Sequence, residues 1–151
     1  MAAFFAFLHH VAAFTLVAAL ALEFVLLRGG FTLVTARRLL VADLVVGASA
    51  TLVLVVGFVR VFYFEKGPSY YFLDLPFLVK LALFAAVAAL SIYPTREFLS
   101  WRSGLKQGRA PGVSEAKLRK LRSILHWELA GVVVILLCAA LMAKGIGYIG
   151  A

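Results

Sequence analysis

Residues 4–27 read FFAFLHHVAAFTLVAALALEFVLL, and this stretch decides the fold. It reaches the roughly 20 consecutive apolar residues needed to span the hydrocarbon core of a bilayer. Residues 40–59, 76–95 and 123–143 have the same character. The spacing predicts an all-α membrane protein: a four-transmembrane-helix up-down bundle, with residues 1–151 forming a single domain. Ionisable groups interrupt the apolar runs, namely His9, His10, Glu23, Asp43, Lys80, His126 and Glu128. A charge at mid-bilayer costs about 2.5–3.5 kcal/mol on insertion scales, so such groups are expected to face the bundle interior.

Composition agrees. The chain is 64% hydrophobic with a mean hydropathy of +1.04, against roughly 45–50% apolar residues in soluble domains. Met1 is followed by Ala2-Ala3-Phe4-Phe5 with no basic region, and the first apolar run is too long for a signal-peptide core, so it reads as a retained helix. The single cysteine, Cys138, lies in the fourth run and excludes an intrachain disulfide.

The net charge of +8 follows topology. Arg28, Arg37 and Arg38 lie between spans one and two. Arg96, Arg102, Lys106, Arg109, Lys117, Arg119, Lys120 and Arg122 lie between spans three and four, making 96–122 a basic loop. By the positive-inside rule both basic segments are cytoplasmic and both termini are outside, which in a bacterial inner membrane means periplasmic. The charge therefore points to anionic lipid rather than nucleic acid.

Along the chain, Gly29-Gly30 opens the first loop. Gly47, Ser49 and Thr51 are small residues that would let helices approach closely. Asp74 with Pro76 predicts a well-capped start to span three, and Tyr93-Pro94 suggests a kink. Ser114-Glu115 would cap a basic amphipathic stretch leading into span four. The aromatic segment 59–75 reads as an interfacial belt, or as a lid in which Tyr70 or Tyr71 covers a pocket.

Depth sorts the polar groups into two layers. His9, His10, Lys80 and Arg60 fall near the outer face. Glu23, Asp43, His126 and Glu128 fall about a turn and a half inside the cytoplasmic edge. At 1.5 Å per residue the layers are on the order of 20 Å apart, too far for His9 or His10 to share a metal with His126. On helix one, His9 and Glu23 share a face with Leu16 and Leu20, which turns His9 inward and His10 toward a neighbour or the headgroups.

The outer layer has two readings: a cofactor site with an imidazole on iron, or interfacial histidines with Lys80 snorkelling. In the inner layer the acids would pair with Arg37, Arg38, Arg96 or Arg122, or relay protons. His126 and Glu128, two apart, cannot face one metal, and the Glu-x-x-His spacing of di-iron bundles is absent. The chain has no phosphate-binding glycine loop, zinc spacing or nucleophile elbow.

The stretches Phe64-Glu65-Lys66-Gly67, Tyr70-Tyr71, Phe77 to Phe84, Ser91 to Thr95 and Met142 to Gly147, with Leu8-His9-His10, resemble a bacterial four-helix membrane-protein family of unknown function. More distantly, Leu8-His9, the arginines opening span two, and Lys80 resemble the membrane-embedded, haem-containing protoporphyrinogen oxidases. That resemblance implies His9 or His10 as a haem-iron ligand, Lys80 as a haem or substrate contact, and Arg38 at a basic position opening span two. Thr15 and Ala18 or Ala19 stand where those oxidases have tryptophan and glycine.

The expectation is thus a b-type haem protein with a redox or tetrapyrrole role, as an oxidoreductase of that type. His9 or His10 would bind the haem b iron, and Lys80 and Arg60 would offset its propionates. A non-enzymatic accessory subunit of a larger membrane complex, or a homo-oligomer, is the alternative, with 96–122 as docking surface. A proton- or ion-coupled transporter using Glu23, Asp43 and Glu128 is the third.

Overall fold

Four apolar helices of a computed structural model, which describes residues 1–149, form the body of the molecule. They are α1 (Ala2–Arg28), α2 (Leu33–Tyr63), α4 (Leu75–Ser100) and α6 (Glu115–Ala143); short α3 (Pro68–Tyr71) precedes α4 and short α5 (Arg102–Lys106) follows it. Among the described residues there is no strand, only an isolated bridge between Asp74 and Tyr148. Each long helix is long and apolar enough to cross a membrane. The 31 residues of α2 extend over about 46 Å, beyond the roughly 30 Å hydrocarbon core.

Local chemistry sets where the helices begin. Thr32 accepts from the Thr35 amide (3.2 Å) to cap α2, and Asp74 Oδ1 accepts from the Phe77 amide (2.9 Å) to cap α4. Ser114 Oγ accepts from the Lys117 amide (3.3 Å) to cap α6. Each side chain satisfies an amide that has no carbonyl a turn earlier. The expected cap at Ser114 is therefore present. The basic stretch after it leads into span four as one continuous helix.

This changes the reading of 96–122. It is mostly helix rather than loop: α4 continues to Ser100, α5 follows, and α6 starts at Glu115. Arg37 and Arg38 likewise belong to α2, not to the connection before it. The physical reason is that arginine and lysine are good helix formers, so charge ends the hydrocarbon span without ending the helix. Pro94 lies inside the continuous α4, buried.

α1 packs mainly on α2 and α4 mainly on α6, and α1 against α6 joins the two antiparallel pairs. The core is gathered at the end carrying Arg37 and Arg122, here the basic end. Phe98, Trp101 and Leu105 meet Leu27, Leu39, Leu118 and Leu121 there. Phe98 and Trp101 have ring centroids 5.0 Å apart, and Phe31 meets Trp101 edge-on at 5.4 Å. Near the interface water competes, so burying a large apolar side chain contributes about 1.5–3 kcal/mol. Within lipid that driving force disappears and close packing takes over.

Close packing is found at glycines other than the one expected. A Cβ at Gly131 would lie 2.6 Å from Val87 Cγ2, so α4 and α6 touch there. A Cβ at Gly57 would lie 3.2 Å from His9 Cε1, so α1 and α2 approach there. Gly47 faces open space, and the Ser49 and Thr51 hydroxyls bond back to carbonyls of their own helix. Within the small-residue run at 47–51, Ser49 and Ala50 turn inward while Gly47 and Thr51 face outward, so only part of the run contributes to helix packing.

Candidate functional site: a buried carboxylate layer

Glu23, Asp43 and Glu128 occupy core positions on three helices, with relative exposures of 1%, 7% and 1%. The spacing that puts them there is legible residue by residue. On α6, buried Leu118, Leu121, Leu125 and Val132 flank Glu128 at steps of three and four. On α1, Leu16, Leu20 and Leu27 do the same for Glu23, and on α2 Leu39 and Val46 bracket Asp43. Each acid sits where a helix of this pattern would otherwise carry an apolar residue.

The three carboxyls are mutual electrostatic neighbours: Glu23 feels Asp43 and Glu128, and Glu128 feels Asp43. The fourth long helix supplies hydroxyls. Thr95 Oγ1 donates to Asp43 Oδ1 (2.6 Å), and the Ser91 hydroxyl, with one hydrogen, lies between Glu128 Oε1 (2.9 Å) and the Val87 carbonyl of its own helix (3.1 Å). Glu23 Oε1 is buried with no hydrogen-bond partner. Most buried polar groups in proteins are bonded, so this orphan atom sets Glu23 apart from Asp43 and Glu128, which each meet a hydroxyl.

The arginine pairing expected for these acids is not formed. Among the described residues the ion pairs are Arg60–Glu65 (2.5 Å) and Lys117–Glu97 (2.9 Å). Arg122 Nε instead donates to the Leu27 carbonyl (2.6 Å), and Arg37 Nη2 donates to the Leu105 carbonyl (3.1 Å). Carbonyls at helix C-termini lack intrahelical partners and carry partial negative charge. They lie level with the arginines, whereas the acids lie deeper. His126 is exposed, 6.3 Å from the Phe24 ring, and takes no part in the layer. The 200° between it and Glu128 accounts for that.

Ser91 and Thr95 complete the site without standing out in the sequence; their signal is two hydroxyls four residues apart on one helix face inside an apolar span. Among the described residues no three His, Cys, Asp or Glu side chains converge in a metal-ligating arrangement.

At the opposite end, His9 is half-buried and His10 exposed, the arrangement that the helical phase favours. His9 Nδ1 is buried without a partner of good hydrogen-bond geometry, though the Val53 backbone interacts with the imidazole, and the ring lies over Gly57. Arg60, Lys80 and His10 are its electrostatic neighbours. Lys80 Nζ lies 5.3 Å from the centroid of the Phe77 ring, while Arg60 is engaged by Glu65. His9 and Glu23 are 14 residues apart on one continuous helix, about 21 Å along its axis. The two layers are therefore separate sites.

Aromatic pairs and backbone bonds gather at the His9 end into a cap. Phe5 stacks on Phe64 with centroids 4.9 Å apart, and Tyr70 on Tyr148 at 4.5 Å. The Tyr71 hydroxyl donates to Glu65 Oε2 (3.5 Å). Burial, and then the Glu65 carboxylate, push the Tyr71 phenol above its ordinary pKa. The Leu75 amide donates to the Gly147 carbonyl (3.0 Å) and the Ile149 amide to the Leu73 carbonyl (2.9 Å), tying the C-terminal segment across the start of α4.

No curated protein and no solved structure shows a significant match to the chain. The family described as "Predicted membrane protein (DUF2214)" matches residues 1–147. Four helices fit to cross a membrane, with polar groups turned inward, agree with that description, and the chain belongs to this family of membrane proteins.

Proposed function

We propose that this is a proton-binding membrane protein in which Glu23, Asp43 and Glu128 hold and exchange protons with the basic side. The orphan Glu23 Oε1 carries the reading. Three negative charges in a low-dielectric layer with no cation paired to them would repel strongly, and protons are the simplest neutralising ligand. The three sites would titrate as one coupled unit.

The surroundings favour exchange on one side over conduction across the bundle. Glu23 lies five residues from Arg28, about 7.5 Å along α1. Toward His9 the intervening hydroxyls of Thr15 and Ser49 are committed to the Val11 and Val45 carbonyls of their own helices. Protonation would set how tightly α4, through Ser91 and Thr95, is held to α2 and α6. With the basic end cytoplasmic, as the positive-inside rule orients it in a bacterial inner membrane, the layer would respond to internal pH.

Infrared spectroscopy of the reconstituted protein tests this. A carboxylic-acid carbonyl band is expected at neutral pH, diminished in Glu23→Gln and Glu128→Gln and lost on alkalinisation. A spectrum showing only ionised carboxylates at neutral pH would overturn the proposal.

A second reading, haem b at the other layer, draws support from His9 Nδ1, a buried imidazole nitrogen without a partner of good hydrogen-bond geometry, and from Lys80, which has no salt bridge among the described residues. His9 would hold the iron and Lys80 would meet a propionate; the group would supply one-electron chemistry. The Arg60 and His10 roles are weaker, since Arg60 is already paired and His10 points outward. Oxidised and dithionite-reduced spectra decide it: a Soret band lost in His9→Ala supports it, and a colourless protein after haem supplementation removes it.

A further inference from the structure

A groove of about 500 Å³ runs between α1 and α2 on the outer surface of the bundle. Thr15, Ala18 and Leu22 form one wall, and Val41 and Val45 the other. Ala19 and Ala42, both buried, form its floor, and their small side chains are why the groove exists. The one hydroxyl, that of Thr15, is turned to the Val11 carbonyl, so the walls present hydrocarbon. From Val45 to Arg38, and from Thr15 to Leu22, the groove extends seven residues, about 10 Å of helix axis.

Only one end is charged. Arg37 and Arg38 line it at the basic end. Arg37 spends one guanidinium nitrogen on the Leu105 carbonyl, which fixes its position, and Arg38 is exposed without an ion pair among the described residues. We propose that the groove binds an anionic phospholipid of the leaflet on the basic side, one acyl chain between α1 and α2 and the phosphate on Arg38 and Arg37. The charge complementarity is specific. Guanidinium groups match phosphate oxygens two at a time, and the apolar trough begins directly beneath them at Val41. A protein segment docked there would have to place an acidic group at the mouth and bare hydrocarbon below, the pattern of a phospholipid. The proposal does not depend on the carboxylate layer.

Native mass spectrometry of the detergent-purified protein, titrated with phosphatidylglycerol or phosphatidylcholine, tests it. Phosphatidylglycerol is expected to bind at one saturable site, at least tenfold more tightly than phosphatidylcholine. Arg38→Gln should weaken it roughly fivefold and Arg37→Gln/Arg38→Gln further, since each basic residue near an anionic headgroup contributes about that factor. Ala18→Trp, at an exposed position that fills the groove without touching the core, should abolish saturable binding. Arg119→Gln, away from the groove, should leave it unchanged. Equal binding of the two lipids, equal loss in Arg119→Gln and Arg38→Gln, or no effect of Ala18→Trp would overturn the proposal. So would a dimer that lipid does not displace and Ala18→Trp dissociates, because the groove would then belong to a second copy.

Discussion

The Ser91 hydroxyl on α4 lies 2.9 Å from Glu128 Oε1 on α6 and 3.1 Å from the Val87 carbonyl of its own helix, one turn from the point where Val87 packs on Gly131. The hydrogen bond and the close contact are two consequences of one approach. Gly131 has no side chain to hold the helices apart, and this brings a short serine within reach of a buried carboxyl. The polar layer is thus supported by packing that contains no polar atom.

Removing the hydroxyl while keeping the acid should expose the coupling. Ser91→Ala is expected to destabilise the bundle, and a double-mutant cycle with Glu128→Leu should return about 0.6 kcal/mol and no more than about 1.7, the average and upper end for interhelical hydrogen bonds in a membrane bundle. Unfolding of detergent-solubilised protein, followed by circular dichroism in mixed micelles, measures it. A coupling of zero would mean that the hydroxyl does not bond the acid in solution.

Gly131→Val should cost about 1–3 kcal/mol by overpacking against Val87. Val87→Ala introduced beside it should recover most of the loss. Thermal denaturation of the single and double variants checks both statements, and the absence of rescue would place the clash elsewhere.

Arg122 anchors the end of α1 by donating to the Leu27 carbonyl. Arg122→Ala is expected to cost about 1.5–3 kcal/mol, the range for hydrogen bonds from charged groups. Arg119→Ala, on the exposed face of the same helix, should change stability by less than about 0.5 kcal/mol. Hydrogen exchange of the last turn of α1 should accelerate only in the first variant.

At the capped end, the Tyr71 phenol is held above its ordinary value, first by burial and then by the Glu65 carboxylate. The folded state therefore favours the protonated phenol. Its contribution is complete below the unfolded value near pH 10 and is lost as pH rises through the raised one. Phenolate absorbance should show a late-ionising tyrosine that disappears in Tyr71→Phe, and alkaline loss of cap structure should be shallower in that variant.

Much of this architecture was written in local chemistry. The apolar runs, the caps at Asp74 and Ser114, and the separation of the two polar layers all follow from helix length, phase and rise. These are properties of one helix at a time, so the sequence alone determined them. The partners of the buried acids depend on which helices touch, at what height and how closely. Arg37 and Arg122 reached backbone carbonyls instead of Glu23 and Glu128, since a helix end offers an acceptor level with the guanidinium. Ser91 and Thr95 became the acids' donors because α4 meets α6 at Gly131 and reaches Asp43 on α2. Only the tertiary structure decided this, because apolar side chains in lipid choose neighbours by shape, and shape complementarity between helices has no one-dimensional pattern in the chain.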